Sequence, residues 1–124
     1  MTDAGPAPGG DWPRPVVHFE IGAADPDRLA PFYAALFSWP NGEGTIRFIP
    51  AGLGGPEPGP AGHLRQSERR GVTLYVQVRD LAFSLTRAVE LGGTVTLERL
   101  DVPGGPTLAA IEDPEGNPVT LVQQ

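Results

Sequence analysis

Cysteine is absent from the 124 residues, which excludes disulfides and thiolate metal sites. A chain without cysteine fits a reducing compartment, and a cytoplasmic location is expected. There are only two histidines, His18 and His63, so nitrogen donors for a metal are scarce. Basic side chains are also few. Nine Lys and Arg stand against fifteen Asp and Glu, for a net charge of −6, and such a surface excludes a phosphate-tracking nucleic-acid binder. No apolar run approaches the ~20 residues needed to cross a bilayer, so no membrane partner is expected. The N-terminus lacks a basic stretch followed by an apolar one, so no signal peptide is expected either.

What the chain has in excess is glycine and proline, 17 and 15 residues. GC-rich bacterial coding produces the same bias, so it carries no functional meaning here. The length suits one domain with a real core. Met1 to Arg14 is Gly/Pro/Ala-rich, with Trp12 its one large apolar residue. Such a segment cannot offset its ordering entropy by burial and is expected to be a flexible tail. The domain begins near Pro15 and divides into one module over 15–66 and a second over 71–124.

Pro15 to Ile21 alternates as a strand, with Val17, Phe19 and Ile21 on one side and Val16, His18 and Glu20 on the other. Asp25-Pro26 starts a helix as N-cap and first helical residue. Leu29, Phe32, Tyr33, Leu36 and Phe37 form its apolar stripe, and Pro31 predicts a distorted or late first turn. Thr45 to Pro50 reads as a short strand, Gly52 to Gly62 as a loop, and His63 to Gln66 as a weak strand. The run Arg65, Arg69 and Arg70, interrupted by Glu68, reads as solvated loop.

The order then recurs. Gly71 to Val78 alternates, placing Thr73, Tyr75 and Gln77 on one face. Asp80 caps a helix over Leu81 to Leu91 that Gly92-Gly93 ends. Strands follow over Thr94 to Leu100, Thr107 to Ile111 and Pro118 to Gln123, the last two joined by the turn Asp113 to Asn117. His18 lies seven residues before Asp25, and Thr73 lies seven before Asp80. The halves are therefore in register, an internal repeat of about 55 residues. An α+β fold is predicted, in which two βαβββ modules pair into a curved mixed sheet or half-barrel. Helices cover one face and the other encloses a cavity.

The segments VVHFEIGAADPDRLAPFYAALFSW, LYVQVRDLAFSLTRAVELGGTV and VPGGPTLAAIEDPEGNPVTLVQ resemble the glyoxalase/bleomycin-resistance/dioxygenase superfamily, the vicinal oxygen chelate proteins. The resemblance covers nearly all of Pro15 to Gln123. It is weakest from Asn41 to Arg70, which is shorter than usual. It implies enzymes that hold one divalent metal with four inward His and Glu side chains, two from each module. His18 falls on the first-half histidine. Its second-half counterpart is Thr73, and the closing glutamate of the last strand is Thr120. The closing ligand of the first half belongs somewhere in His63 to Gln66. Neutral threonine hydroxyls hold zinc, iron or nickel poorly, so no metal and no other cofactor is expected. The best divalent-metal set that could be assembled is His18, Glu20 and His63, although His18 and Glu20 sit about 6–7 Å apart along one strand.

The candidate ligand-binding residues are accordingly His18, Glu20, Arg47, Thr73, Tyr75, Gln77 and Thr120. Glu20 and His18 are the candidates for acid–base work, while His63 beside its Gly/Pro loop is expected to be solvated. One implied function is a metal-independent protein that binds a small organic molecule, like the family's sequestering resistance members. The alternative is a lyase, isomerase or dioxygenase-like enzyme that uses an unconventional metal set or Glu20 and His18 as acid and base. A regulatory or partner-binding subunit is the third. A homodimer is expected, because half-barrels leave strand edges open.

Overall fold

The structure is a computed structural model and describes residues 12–40, 42–54 and 59–123. Most of the N-terminal tail, residues 1–11, lies outside the described residues. Trp12 is described and sits under the Arg79 guanidinium, 4.4 Å from ring centroid to carbon.

Nine elements follow in the order β1 (Val16–Ala23), α1 (Pro26–Phe37), β2 (Ile46–Ile49), β3 (Ala61–Gln66), β4 (Gly71–Val78), α2 (Leu81–Glu90), β5 (Thr94–Asp101), β6 (Thr107–Glu112) and β7 (Pro118–Gln123). The strands form one mixed sheet in the order β2-β3-β1-β4-β7-β6-β5. Its centre is the antiparallel pair β1–β4, where the two modules meet edge to edge. Each half then repeats one pattern, since β3 runs parallel to β1 and β7 runs parallel to β4. The first module is one strand short of the expected βαβββ. Among the described residues it is βαββ, and the sheet has seven strands rather than eight.

Both helices begin where their caps place them. Asp25 accepts a hydrogen bond from the Asp27 amide at 3.1 Å, and Asp80 accepts one from the Phe83 amide at 2.9 Å. The first turn of α1 is not delayed by Pro31. The amide that Pro31 lacks would have served the carbonyl of Asp27, an exposed first-turn residue that water can satisfy. Ser38 ends α1 in the left-handed region, at φ 58°.

Each helix covers its own small core. Under α2, Val78, Leu81, Ala109 and Leu121 are buried; under α1, Ala30, Ile49 and Leu64 are. The face that α1 turns inward differs from the predicted stripe. Ala30 and Tyr33 face the sheet, and Trp39 tucks in 5.1 Å from the Tyr33 ring and 6.0 Å from Phe19. With that space filled, Phe32, Leu36 and Phe37 are left 55%, 59% and 53% exposed.

β3 is not the weak strand that its composition suggests. It lies inside the sheet, paired to β2 on one side and to β1 on the other. Gly62 makes this possible, because the Phe19 ring lies where a Cβ would stand, 2.4 Å away.

Candidate functional site

The uncovered face of the sheet is concave, and its register decides which side chains meet. Glu20 lies between His63 on β3 and Thr73 on β4, while His18 is opposite Tyr75. Tyr75 in turn neighbours Thr120 on β7. Alternate residues of a strand share a face, so Arg65 projects on the same side as His63, and the intervening Leu64 is packed under α1.

The polar groups of this floor are joined. Glu20 is 9% exposed and His63 only 6%. The Glu20 carboxylate accepts hydrogen bonds at Oε1 from His63 Nε2 (2.9 Å), Arg65 Nε (3.0 Å) and the Tyr75 hydroxyl (3.3 Å). Arg65 Nη2 lies 3.4 Å from Oε2. His63 Nδ1 is 2.7 Å from His18 Nε2. A carboxylate only accepts, so the proton of a neutral His63 sits on Nε2 and its Nδ1 carries the lone pair. His18 Nε2 must then donate, leaving Nδ1 of a neutral His18 as an acceptor. That Nδ1 has no hydrogen-bond partner among the described residues. The result is a directed chain in which His18 donates to His63 and His63 donates to Glu20.

The electrostatics agree with this wiring. The hydrogen bond from His63, helped by the hydrogen bond and charge of Arg65, outweighs burial and brings the Glu20 carboxyl down to about 2. Burial, followed by the neighbouring His63, lowers the pKa of His18 and favours its neutral form. Tyr75 is pushed up to about 12, chiefly by burial and then by the Glu20 charge.

The cavity above this floor has a volume of about 780 Å³ and includes His18, Glu20, His63, Arg65, Thr73, Tyr75 and Thr120 in its lining. A register shift in β1 between Val16 and His18 brings Val17 to this side as well, against its expected direction. Five of the seven expected ligand contacts therefore share one cavity: His18, Glu20, Thr73, Tyr75 and Thr120. Two are corrected. Arg47 is not in the lining; it is bound to the Asp27 carboxylate and the Gly44 carbonyl, on the outer side of β2 near the start of α1. Gln77 has the expected parity but stands beyond the lining, where its backbone N–H donates to the Pro15 carbonyl.

Three further ionisable residues line the cavity that were not among the expected ligand contacts. His63 is buried at its centre rather than solvated. Arg65 is bound to Glu20 rather than belonging to a solvated loop, and Arg69 also reaches the cavity while pairing with Glu112 at 2.9 Å.

The comparisons agree with this architecture. Residues 17–122 match the glyoxalase-like domain family. The chain belongs to that family, within the glyoxalase/bleomycin-resistance/dioxygenase superfamily. No curated protein matches it. Among solved structures, a hypothetical protein from Bacillus halodurans C-125 is 13% identical with a TM-score of 0.66, covering 90% of this chain and 94% of that one. A superfamily member from Vibrio splendidus 12B01 is 15% identical with a TM-score of 0.64, covering 90% and 100%. A variant of Streptomyces coelicolor methylmalonyl-CoA epimerase, in complex with 2-nitronate-propionyl-CoA, is 15% identical with a TM-score of 0.61, covering 89% and 94%. At these identities the likeness establishes the fold and leaves the chemistry to this chain's own residues.

Those residues do not fit the divalent metal that the resemblance implies. The parallel pair β1–β3 sets His63 beside Glu20 as the pair β4–β7 sets Thr120 beside Tyr75. His63 is thus the first-half counterpart of Thr120, and the four ligand positions hold His18, His63, Thr73 and Thr120. Two imidazoles and two neutral hydroxyls fall short of the three or four His or carboxylate donors that such metals take. Glu20 does not complete the set. It lies on the far side of His63, bound to the nitrogen that faces away from His18. Among the described residues no group of three or more His, Cys, Asp or Glu is placed to hold a metal ion.

Proposed function

We propose that this glyoxalase-like protein binds a small organic molecule in its concave cavity without a resident metal. The observation that carries the reading is the hydrogen-bonded chain Glu20–His63–His18 on the floor of a ligand-sized cavity. The donors a metal would require are bound to one another, so a ligand meets His18, Tyr75 and the two threonines directly. A ¹H–¹⁵N correlation spectrum recorded against a library of small polar and apolar organic molecules tests this. Shifts are expected to cluster at His18, Tyr75 and Thr120, with affinities unchanged after dialysis against EDTA. Shifts confined to other surfaces would sink the binding site, and a tenfold loss of affinity on chelation would sink the metal independence.

The same chain favours a second reading, proton transfer. Neutral His18 is a base within a cavity, and His63 can share the positive charge that His18 gains, with ionised Glu20 stabilising it from behind. A bound ligand with an acidic C–H, incubated in D₂O, is then expected to incorporate deuterium, and His18→Ala is expected to slow incorporation by 10²-fold or more. Incorporation that proceeds at the same rate in the variant would remove His18 as the base and leave a binding protein.

A further inference from the structure

The concave face is chemically lopsided in a way that the two-fold repeat does not require. All the ionisable side chains joined by hydrogen bonds on the floor come from β1, β3 and β4. From Thr120 outward the register runs to Ala110 on β6 and Leu97 on β5, while the adjacent row runs from Val122 to Leu108 and Leu100. Together with Val102 and Pro106 these residues make one wall of the cavity, and none of them is charged. Leu97 and Leu100 remain 40% and 47% exposed, although they face a cavity rather than open surface. Apolar side chains held in this way gain by being covered, because burial removes their surface from water.

The head of the site is equally defined. Three donors already converge on Glu20 Oε1, and Arg65 balances its charge. His18 Nδ1 is an acceptor that no described residue meets, and an N–H or O–H of a bound molecule can fill it. An anionic head brings only acceptors and leaves His18 Nδ1 unmet, so it would have to be held by Arg65 and Arg69 at the cavity's edge instead.

We infer that the cavity selects amphipathic molecules, with an apolar chain or ring lying on the β5–β6 wall and a neutral hydroxyl or other donor head received by His18. This rests on the binding reading above and narrows it to a ligand class. Compared with the epimerase complex, whose ligand is a coenzyme A derivative, it points to a smaller and uncharged head.

Isothermal titration with four probes tests it. They are 1-octanol; heptyl methyl ether, its isomer without a donor; octanoate, with an anionic head; and 1-butanol, with a short tail. Octanol is expected to bind at least tenfold more tightly than each of the others. Leu100→Asn, in the apolar wall, is expected to reduce octanol affinity several-fold and to narrow the gap between octanol and butanol. His18→Ala is expected to abolish the preference for octanol over the ether. Equal binding of octanol and ether would overturn the donor head. Octanoate binding as tightly as octanol would overturn the neutral head and identify an anion site on Arg65. Failure of octanol to bind would overturn the class as a whole. The binding reading itself falls only if the broad library also leaves the cavity residues unshifted, so the two failures are distinguishable.

Discussion

Glu20→Ala should lower the unfolding free energy by about 2–4 kcal/mol at pH 7, and Glu20→Gln should flatten the acid limb of the stability curve. Glu20 is buried, and three donors converge on one of its oxygens. Truncation leaves the buried His63 Nε2–H and part of Arg65 without their acceptor, at roughly 1–3 kcal/mol for each buried group left unsatisfied. Breaking a buried ion pair from one side costs about 3–5 kcal/mol. Water in the cavity can reach Arg65 and Tyr75, which holds the total near the lower end of that sum.

The sign with pH follows from the depressed carboxyl. Glu20 titrates near 2 in the folded protein and at about 4.5 when unperturbed. Its contribution is therefore complete above pH 4.5 and is lost as the pH falls toward 2. The difference corresponds to an order of 3 kcal/mol at about 1.4 kcal/mol for each pH unit. His18 acts in the same direction at higher pH. Its folded value is also lowered, so the stability it contributes is present above its unfolded pKa and declines as the pH falls below it. Urea unfolding at pH 7, 5, 4 and 3 separates the two. Between pH 5 and 3 the wild-type protein should lose stability more steeply than Glu20→Gln. Parallel curves over that interval would mean that the carboxylate is not held by His63 and Arg65.

Much of this arrangement is written locally in the chain. The alternation of Pro15 to Ile21 and of Gly71 to Val78, the capping residues Asp25 and Asp80, and the equal spacing to His18 and Thr73 place the central strands and the family fold. What a local pattern cannot carry is the register between strands far apart in sequence. Tyr75 and Thr120 are neighbours 45 residues apart. Carried onto the first half, that spacing runs from Glu20 to Arg65 and misses the true neighbour, His63, by two residues. The parity survives and the register does not, because the first module is a strand short among the described residues. A six-residue strand next to a Gly/Pro loop gives no independent signal of burial either. The misplacement of Arg47 has a different cause. In the four residues of β2 the alternation is too brief to tell the cavity side from the helix side, and it is the Asp27 carboxylate that draws Arg47 outward. The inward face of α1 was misread because Trp39, which lies beyond the helix, competes with the stripe for the same space.

That same geometry makes Leu64 the core position on which the site depends most. It is 0% exposed and packs with Ala30 and Ile49, with Phe19 and Tyr33 against the cluster. Its neighbours in sequence, His63 and Arg65, are two of the donors to Glu20. One strand thus carries a core anchor on one face and the wiring of the cavity floor on the other. Leu64→Ala is expected to cost about 3–4 kcal/mol, the range for a fully buried leucine whose surroundings cannot collapse into the space. Collapse is restricted here, because β3 is held by strands on both sides and Gly62 is already filled by the Phe19 ring. The damage should not stop at the core. With the anchor gone, the alternation that fixes His63 and Arg65 over Glu20 loses its counterweight, and the amides of β3 should exchange with solvent faster than those of β6, which belongs to the other core. Urea unfolding gives the first quantity and native-state hydrogen exchange the second. A loss below 1 kcal/mol, with β3 and β6 still equally protected, would mean that the floor of the cavity is held by its polar network alone.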